Sequence, residues 1–377
     1  MNFDYNEEQR LLAESVRRFV AQDYGFEERR RIVASAEGYS AKAWSTMAEL
    51  GLLGLGISPE HGGFGGGAVD LMSTMEAFGD ALVVEPYLAT VGIGARFIAL
   101  AGTPEQQETM LPRIVEGGLK LAFAHTEADA RYDLARVALE ARPGAGGYVL
   151  DGEKRVVLHA PCADKLIVSA RTSGASGDRE GVSLFVVDAT AAGVSMKAYR
   201  TIDELRAADV AFANVRVSAA DRIGAEGRAL DLIEEVVDFA TALVCAEAVG
   251  AIRFANDTTL EYLKTRRQFG VSIGSFQALQ HRLVDMVISC EQARSMASLA
   301  CARVDVEKDA TERKRIVSAA KVRIADACRH VSQESIQLHG GMGMSEELKV
   351  SHTFRRLTMI AQQFGDADHH LERFAAT

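Results

Sequence analysis

The sequence predicts an α+β fold, mostly α: an N-terminal helical domain, a middle antiparallel β-barrel domain and a C-terminal four-helix bundle. Three observations predict it. Apolar residues recur at helical spacing up to about residue 118 and again from about residue 227. Between these stretches lie short strand-like runs with no long helical pattern separating them, which argues against a doubly wound sheet. Finally, 377 residues are too many for one ordinary hydrophobic core. The expected divisions are 1–118, 119–226 and 227–377.

The elements follow in order. Asn6 suits the N-cap of a helix over Glu7–Ala21, whose apolar stripe is Leu11, Leu12, Val16, Phe19 and Val20. A second helix spans Ala41–Leu50 and stops at Gly51. The glycine-rich loop Pro59–Gly67 is a turn segment: it lacks the spacing of a phosphate-binding P-loop, and no β-branched strand precedes it. Helical patterning resumes at Val69–Ala81 and runs with interruptions to about Gly118. Tyr148–Leu150 and Lys154–Leu158 flank Asp151-Gly152, a pair suited to a type I′ hairpin turn. Lys165–Ala170, Val182–Asp188 and Ala208–Val217 are further strands. Leu230–Arg266 reads as one helix of roughly 55 Å. Phe276–Asp305, Thr311–Leu338 and a short C-terminal helix follow.

Composition narrows the function. A net charge of −10 argues against a nucleic-acid partner, because phosphate contacts need clustered cations. The basic run Arg29–Arg31 follows Glu27 and Glu28 and reads as a solvated face. The cysteines are odd in number and without a C-x-x-C pair, which argues against a disulfide framework or a zinc site and for a reducing compartment. The start, MNFDYNEEQR, is unlike a signal peptide, and no stretch approaches the roughly 20 apolar residues of a membrane span. A cytoplasmic protein with no membrane partner is the expectation.

Several motifs carry a family resemblance. They are Trp44-Ser-Thr-Met-Ala-Glu-Leu-Gly-Leu-Leu before Pro59-Glu-His-Gly-Gly, and Leu111-Pro-Arg-Ile-Val-Glu-Gly-Gly leading into Ala122-Phe-Ala-His-Thr-Glu127. Arg266-Arg-Gln-Phe-Gly270 with Gln277, and Gln337-Leu-His-Gly-Gly-Met-Gly343, are the more specific matches. In this order and spacing the chain resembles the acyl-CoA dehydrogenase family over essentially its whole length. The resemblance implies FAD as cofactor and α,β-dehydrogenation of an acyl-CoA thioester, in which a carboxylate removes the Cα proton and a hydride leaves Cβ. It also implies electron-transfer flavoprotein as acceptor and a dimer or tetramer, homomeric or heteromeric. It assigns Phe123, His125, Thr126, Arg266, Phe269, Gln277, Gln337, Gly340, Gly341 and Asp366 to the cofactor. Thr126 would bond the flavin ring, and Arg266 would reach the FAD of a neighbouring subunit. The residue types suit these roles: a guanidinium fork matches phosphate oxygens, and glycines let backbone N–H groups approach a nucleotide. Plain alternatives stay open, namely a C-terminal helix cation at Arg266, a helix cap at Gly340 and surface amides at Gln277 and Gln337.

The chain departs from the family pattern where a base is needed. Most members carry the base as glutamate in Tyr-Glu-Gly-Thr; here the segment is Gln363-Phe364-Gly365-Asp366, so Phe364 stands at the base position. A minority hold the base on the first long C-terminal helix, where this chain has Ala240 followed by Thr241. Thr126-Glu-Ala-Asp-Ala-Arg-Tyr132-Asp133 replaces the family's Thr-Glu-Pro-Gly-x-Gly-Ser-Asp, and Val156 replaces an expected tryptophan. Two carboxylates are candidate catalytic bases. Glu247 lies two helical turns beyond Ala240 and would have a raised pKa if buried and unpaired; Asp366 is the other. Each has a structural alternative, an interhelix contact for Glu247 and a helix start for Asp366. Three readings result: one subunit of a heteromeric dehydrogenase whose partner supplies the base, a homomeric dehydrogenase using Glu247 or Asp366, or a flavin monooxygenase, oxidase or non-catalytic flavin-binding subunit.

Overall fold

A computed structural model describes residues 7–377, so the Asn6 cap lies outside the described residues. The helices are α1 (Glu7–Asp23), α2 (Phe26–Ala34), α3 (Ala41–Glu49), α4 (Ala68–Ala81), α5 (Ala95–Ala101), α6 (Pro104–Val115), α7 (Leu230–Thr265), α8 (Gln277–Val304), α9 (Ala310–His339), α10 (Lys349–Gln362) and α11 (Ala367–Ala375). The strands are β1 (Leu121–Ala124), β2 (Glu140–Gly144), β3 (Gly147–Leu158), β4 (Lys165–Arg171), β5 (Val182–Asp188), β6 (Val194–Arg200), β7 (Arg206–Ser218), β8 (Arg222–Ile223), β9 (Arg267–Gln268) and β10 (Val271–Ser272). Local chemistry sets several ends. Ser40 accepts from the Ala43 N–H to start α3, and α6 opens on a Thr103/Gln106 capping box with Pro104 in its first turn. The fold is mostly helical α+β, and the chain clusters into two compact units.

One unit holds the described part of residues 1–30 with Gly67–Val83 and Thr241–Thr377. Within it α9 packs against α8, α10 and α11. Helices α4 and α7 meet backbone to backbone. A Cβ on Gly79 would lie 1.8 Å from the Glu247 carbonyl oxygen, and one on Gly250 would lie 1.8 Å from that of Glu76. Ala293, Ala297 and Ala300 are buried on α8. The basic run is not wholly solvated: Arg29 is buried and donates Nε to the Leu82 carbonyl at 2.8 Å. That oxygen lies at the left-handed end of α4, where helix carbonyls lack intrahelical donors. The single C-terminal helix expected becomes two, α10 and α11, broken at Gln363–Asp366.

The other unit holds Arg31–Gly66 and Val84–Ala240. Its sheet is mixed and has two ends, in the order β6-β7-β3-β2-β4-β5-β8 with β1 on β4. This corrects the antiparallel barrel: β1 and β2 each pair parallel with β4. It also corrects the hairpin. Asp151-Gly152 lies inside β3, at a register shift against β7 where Gly152 takes φ +141. The turn sits instead between Gly144 and Gly147, the paired ends of β2 and β3. Asp-Gly is a turn signal only when nothing else pairs with the strand, and β7 pairs with β3 on both sides of it.

Candidate functional site

The C-terminal end of β1 is built from the inside outward. The Phe123 ring stacks on that of His125, with centroids 5.1 Å apart and 13° between planes. The His125 ring is buried and its Nδ1 lies 2.9 Å from Ser169 Oγ, which makes it a packing group of the strand end. Burial, and secondly the Lys154 charge, push its pKa down to about 3. Thr126 is exposed, and its carbonyl accepts from the Arg155 N–H at 2.7 Å. Beneath it Lys154, fully buried, donates to Glu127 Oε1 at 2.6 Å, Ser169 Oγ at 3.0 Å and the His125 carbonyl at 3.1 Å. Two residues on, Val156 is 48% exposed at φ +50, a region costly for a β-branched side chain. Its N–H donates to Asp209 Oδ1 at 3.2 Å.

The second group lies at one end of the helical unit. Tyr262, near the end of α7, stacks on His339, the last residue of α9, with centroids 4.4 Å apart. This brings the Arg266 segment and the Gly340–Gly341 segment to the same end. Arg266 leads into the β9–β10 hairpin, whose tip is Phe269 (φ +54) and Gly270 (φ +82), the signs of a type I′ turn. The Phe269 ring is 90% exposed. Arg266 is exposed, with no acidic partner among the described residues. Gln277 and Gln337 are exposed as well. Gly340 has φ +59 and ψ −144, accessible essentially to glycine alone, and its N–H donates to the Gln337 carbonyl as the cap of α9. A Cβ on Gly340 or Gly341 would meet nothing within 4 Å, so open space faces that backbone. An exposed guanidinium and open glycine backbone at the same end of the helical unit fit a phosphate-bearing cofactor such as FAD.

The segments where the family resemblance would place a base form a third group. Ala240 and Thr241 are buried on α7. Glu247 is also buried, but it is not unpaired: Arg356 on α10 donates Nε to Oε1 at 2.6 Å and Nη2 to Oε2 at 2.8 Å. The unpaired state that would suit it to act as base is therefore not what the fold holds; the contact is an interhelical ion pair. Asp366 caps α11, accepting from the His369 N–H at 2.9 Å. With Asp368 in the first turn, that helix start carries negative charge and disfavours a phosphate. Phe364 sits at φ +61 in a tied segment. Lys321, buried on α9, donates Nζ to the Ala361 and Gly365 carbonyls at 3.2 and 2.6 Å. His370 Nε2 donates to the Phe364 carbonyl at 3.1 Å. Burial first, then the Lys321 and Arg373 charges, push the His370 pKa down to about 2.

Sequence reasoning missed Arg356, Lys321 and Lys154 as buried partners of these segments. The available signal was weak: a lone cation within an apolar helical or strand pattern. Glu247 and Arg356 lie 109 residues apart.

The fold and these segments define a class of flavin-type α+β oxidoreductase, and comparison with known proteins gives the family. Models of the acyl-CoA dehydrogenase N-terminal, middle and C-terminal domains match residues 6–118, 122–215 and 227–377. The caffeyl-CoA reductase–Etf complex subunit CarC of Acetobacterium woodii is 29% identical over 356 residues, 93% of each chain. In the ChsE4–ChsE5 complex from Mycobacterium tuberculosis, a solved chain superposes with TM-score 0.90 at 26% identity, covering 100% of this chain and 98% of that one. The FAD complex of PigA superposes with TM-score 0.90 at 27% identity, with the same coverage. The chain belongs to the acyl-CoA dehydrogenase family of FAD-dependent oxidoreductases. Among the described residues, no helix is long and apolar enough to cross a membrane.

Proposed function

We propose that this chain is one subunit of a heteromeric, FAD-dependent acyl-CoA dehydrogenase whose partner subunit supplies the catalytic base. One observation carries the reading. Phe364 and Ala240 cannot accept a proton, and the two candidate replacements are engaged elsewhere, Glu247 with Arg356 and Asp366 with the His369 N–H. A base must reach the Cα proton. Two similar proteins, a subunit of an Etf complex and a chain of a two-protein complex, support assembly with other chains. The first also supports electron-transfer flavoprotein as acceptor.

The divisions 1–118, 119–226 and 227–377 are the working domains of this reading. When bound, FAD supplies the hydride acceptor for α,β-dehydrogenation of the acyl-CoA thioester. Phe123 and Thr126 frame the ring, with His125 packed behind them. Arg266, Phe269, Gln277, Gln337, Gly340 and Gly341 hold the nucleotide part of a neighbour's FAD. The separation of the two segments along α9 supports their serving different FAD sites. Lys321, which anchors the residue 364 segment, lies 19 residues along α9 from Gly340, roughly 28 Å at 1.5 Å per residue.

The test is flavin bleaching by acyl-CoA. The chain alone should not bleach with any thioester, and co-expression with a base-carrying dehydrogenase subunit should restore turnover. Robust dehydrogenation by the isolated chain, abolished by Glu247→Gln, would establish the homomeric reading instead. Rapid reoxidation of the reduced flavin by oxygen, without thioester turnover in either preparation, would favour the oxidase or monooxygenase reading.

A further inference from the structure

We infer that Lys154, acting with Ser169 and Glu127, is a positioning residue that sets the Thr126 hydroxyl for its contact with the flavin ring; this rests on the proposed FAD site at the end of β1. The argument starts from donor and acceptor inventory. An ammonium has three protons and no acceptor. Lys154 Nζ has three partners: the His125 carbonyl, Glu127 Oε1 and Ser169 Oγ. Ser169 Oγ thus accepts from Lys154, and its own proton points to His125 Nδ1 at 2.9 Å. That assigns Nδ1 as an acceptor and puts the ring proton on Nε2. Glu127, besides accepting from Lys154, takes the Ala138 and Leu139 N–H groups at 2.8 and 3.0 Å. The Thr126 carbonyl takes the Arg155 N–H.

Residues 125, 126 and 127 are therefore each tied to β3 or to the start of β2, and two of the ties end on one buried cation. Yet the residue at the centre of the clamp is exposed, and its hydroxyl has no partner among the described residues. The clamp fixes the backbone on both sides and leaves the side chain facing outward, the arrangement of a supported ligand contact. A fully buried lysine is costly to retain, and burial lowers its pKa to about 8 even with Glu127 beside it. That cost is understandable if the geometry it imposes is used.

The experiment is a spectroscopic double-mutant cycle on the FAD-loaded protein, assembled with its partner subunit where loading requires it. Lys154→Met and Thr126→Val are made singly and together, and Ser169→Ala is made as a milder cut to the same clamp. The readouts are the position and fine structure of the visible flavin bands and the dissociation constant of FAD. Lys154→Met should weaken FAD roughly tenfold or more and move the bands toward those of free FAD. Ser169→Ala should move them in the same direction by less. Adding Lys154→Met to Thr126→Val should produce little further band shift, because the lysine acts through Thr126. A purely structural lysine would lower stability and leave the folded holoprotein's spectrum unchanged, or shift it additively with Thr126→Val; either result overturns the inference. If Lys154→Met does not fold, an unaltered spectrum in Ser169→Ala does the same. A wild-type assembly that takes up no FAD at all would refute the proposed function itself.

Discussion

The Glu247–Arg356 pair offers the most direct test of whether this chain carries its own base. Both side chains are over 90% buried, and the pair is bidentate at 2.6 and 2.8 Å. Replacing Arg356 by methionine keeps the aliphatic bulk and strands the carboxylate on α7. Breaking one side of a buried pair costs about 3–5 kcal/mol, since the remaining charge is neither hydrated nor matched. Arg356 also donates Nη2 to Gln363 Oε1 at 3.4 Å, so part of the tie on the residue 364 segment goes with it. At roughly 2 °C per kcal/mol for a long chain, Tm should fall by about 6–10 °C. Glu247→Gln retains one acceptor and should cost less. The double variant Glu247→Gln/Arg356→Met should recover part of the loss, because no uncompensated charge remains. Differential scanning calorimetry on the four proteins reads this directly, and turnover of the reconstituted enzyme is measured alongside. A structural pair predicts lowered stability with turnover of the surviving folded enzyme nearly intact. If Arg356→Met left Tm within a degree while Glu247→Gln cut turnover by at least about 10²-fold, the argument would be wrong and Glu247 would be the base.

Three further outcomes follow from the same geometry. Arg266→Ala should weaken FAD retention by roughly tenfold or more while leaving the apoprotein's Tm unchanged, because the side chain is exposed and has no acidic partner among the described residues; equal FAD affinity by equilibrium dialysis would remove it from the site. Gly79→Ala should destabilise by about 3 kcal/mol, the upper end for overpacking, in urea unfolding, since its Cβ would meet the Glu247 carbonyl at 1.8 Å and backbone cannot step aside as a side chain does. For pH, His125 and His370 have folded pKa values pushed down to about 3 and about 2, chiefly by burial. A depressed folded value means the stability is present above the ordinary histidine pKa near 6.5 and is lost as pH falls toward the folded value. At pH 5 each should cost roughly 2 kcal/mol, and His370→Asn should flatten the fall between pH 7 and 5.

Much of this protein was legible in the chain itself. Long apolar periodicity marked α7, α8 and α9 to within a residue or two, because a bundle helix shows its buried stripe in its own sequence. The cap of α9 at Gly340 was legible for a related reason: its geometry is local to one contiguous segment. That Phe364 stands where most of the family carries a glutamate was likewise a one-position comparison. What tertiary structure alone decided is which charges meet. Asp151-Gly152 is a local turn signal, and only the pairing of β7 along both halves of β3 makes it a bulge. Glu247 reads identically as a base or as a strut until Arg356 is seen across from it. Arg29 reads as solvated until α4 ends against it, and Lys154 reads only as the first residue of a strand-like run until Glu127 and Ser169 close around it. Spacing along a chain sets periodicity, turns and caps, whereas the protonation and pairing of a buried charge depend on groups many residues distant that share its low-dielectric surroundings.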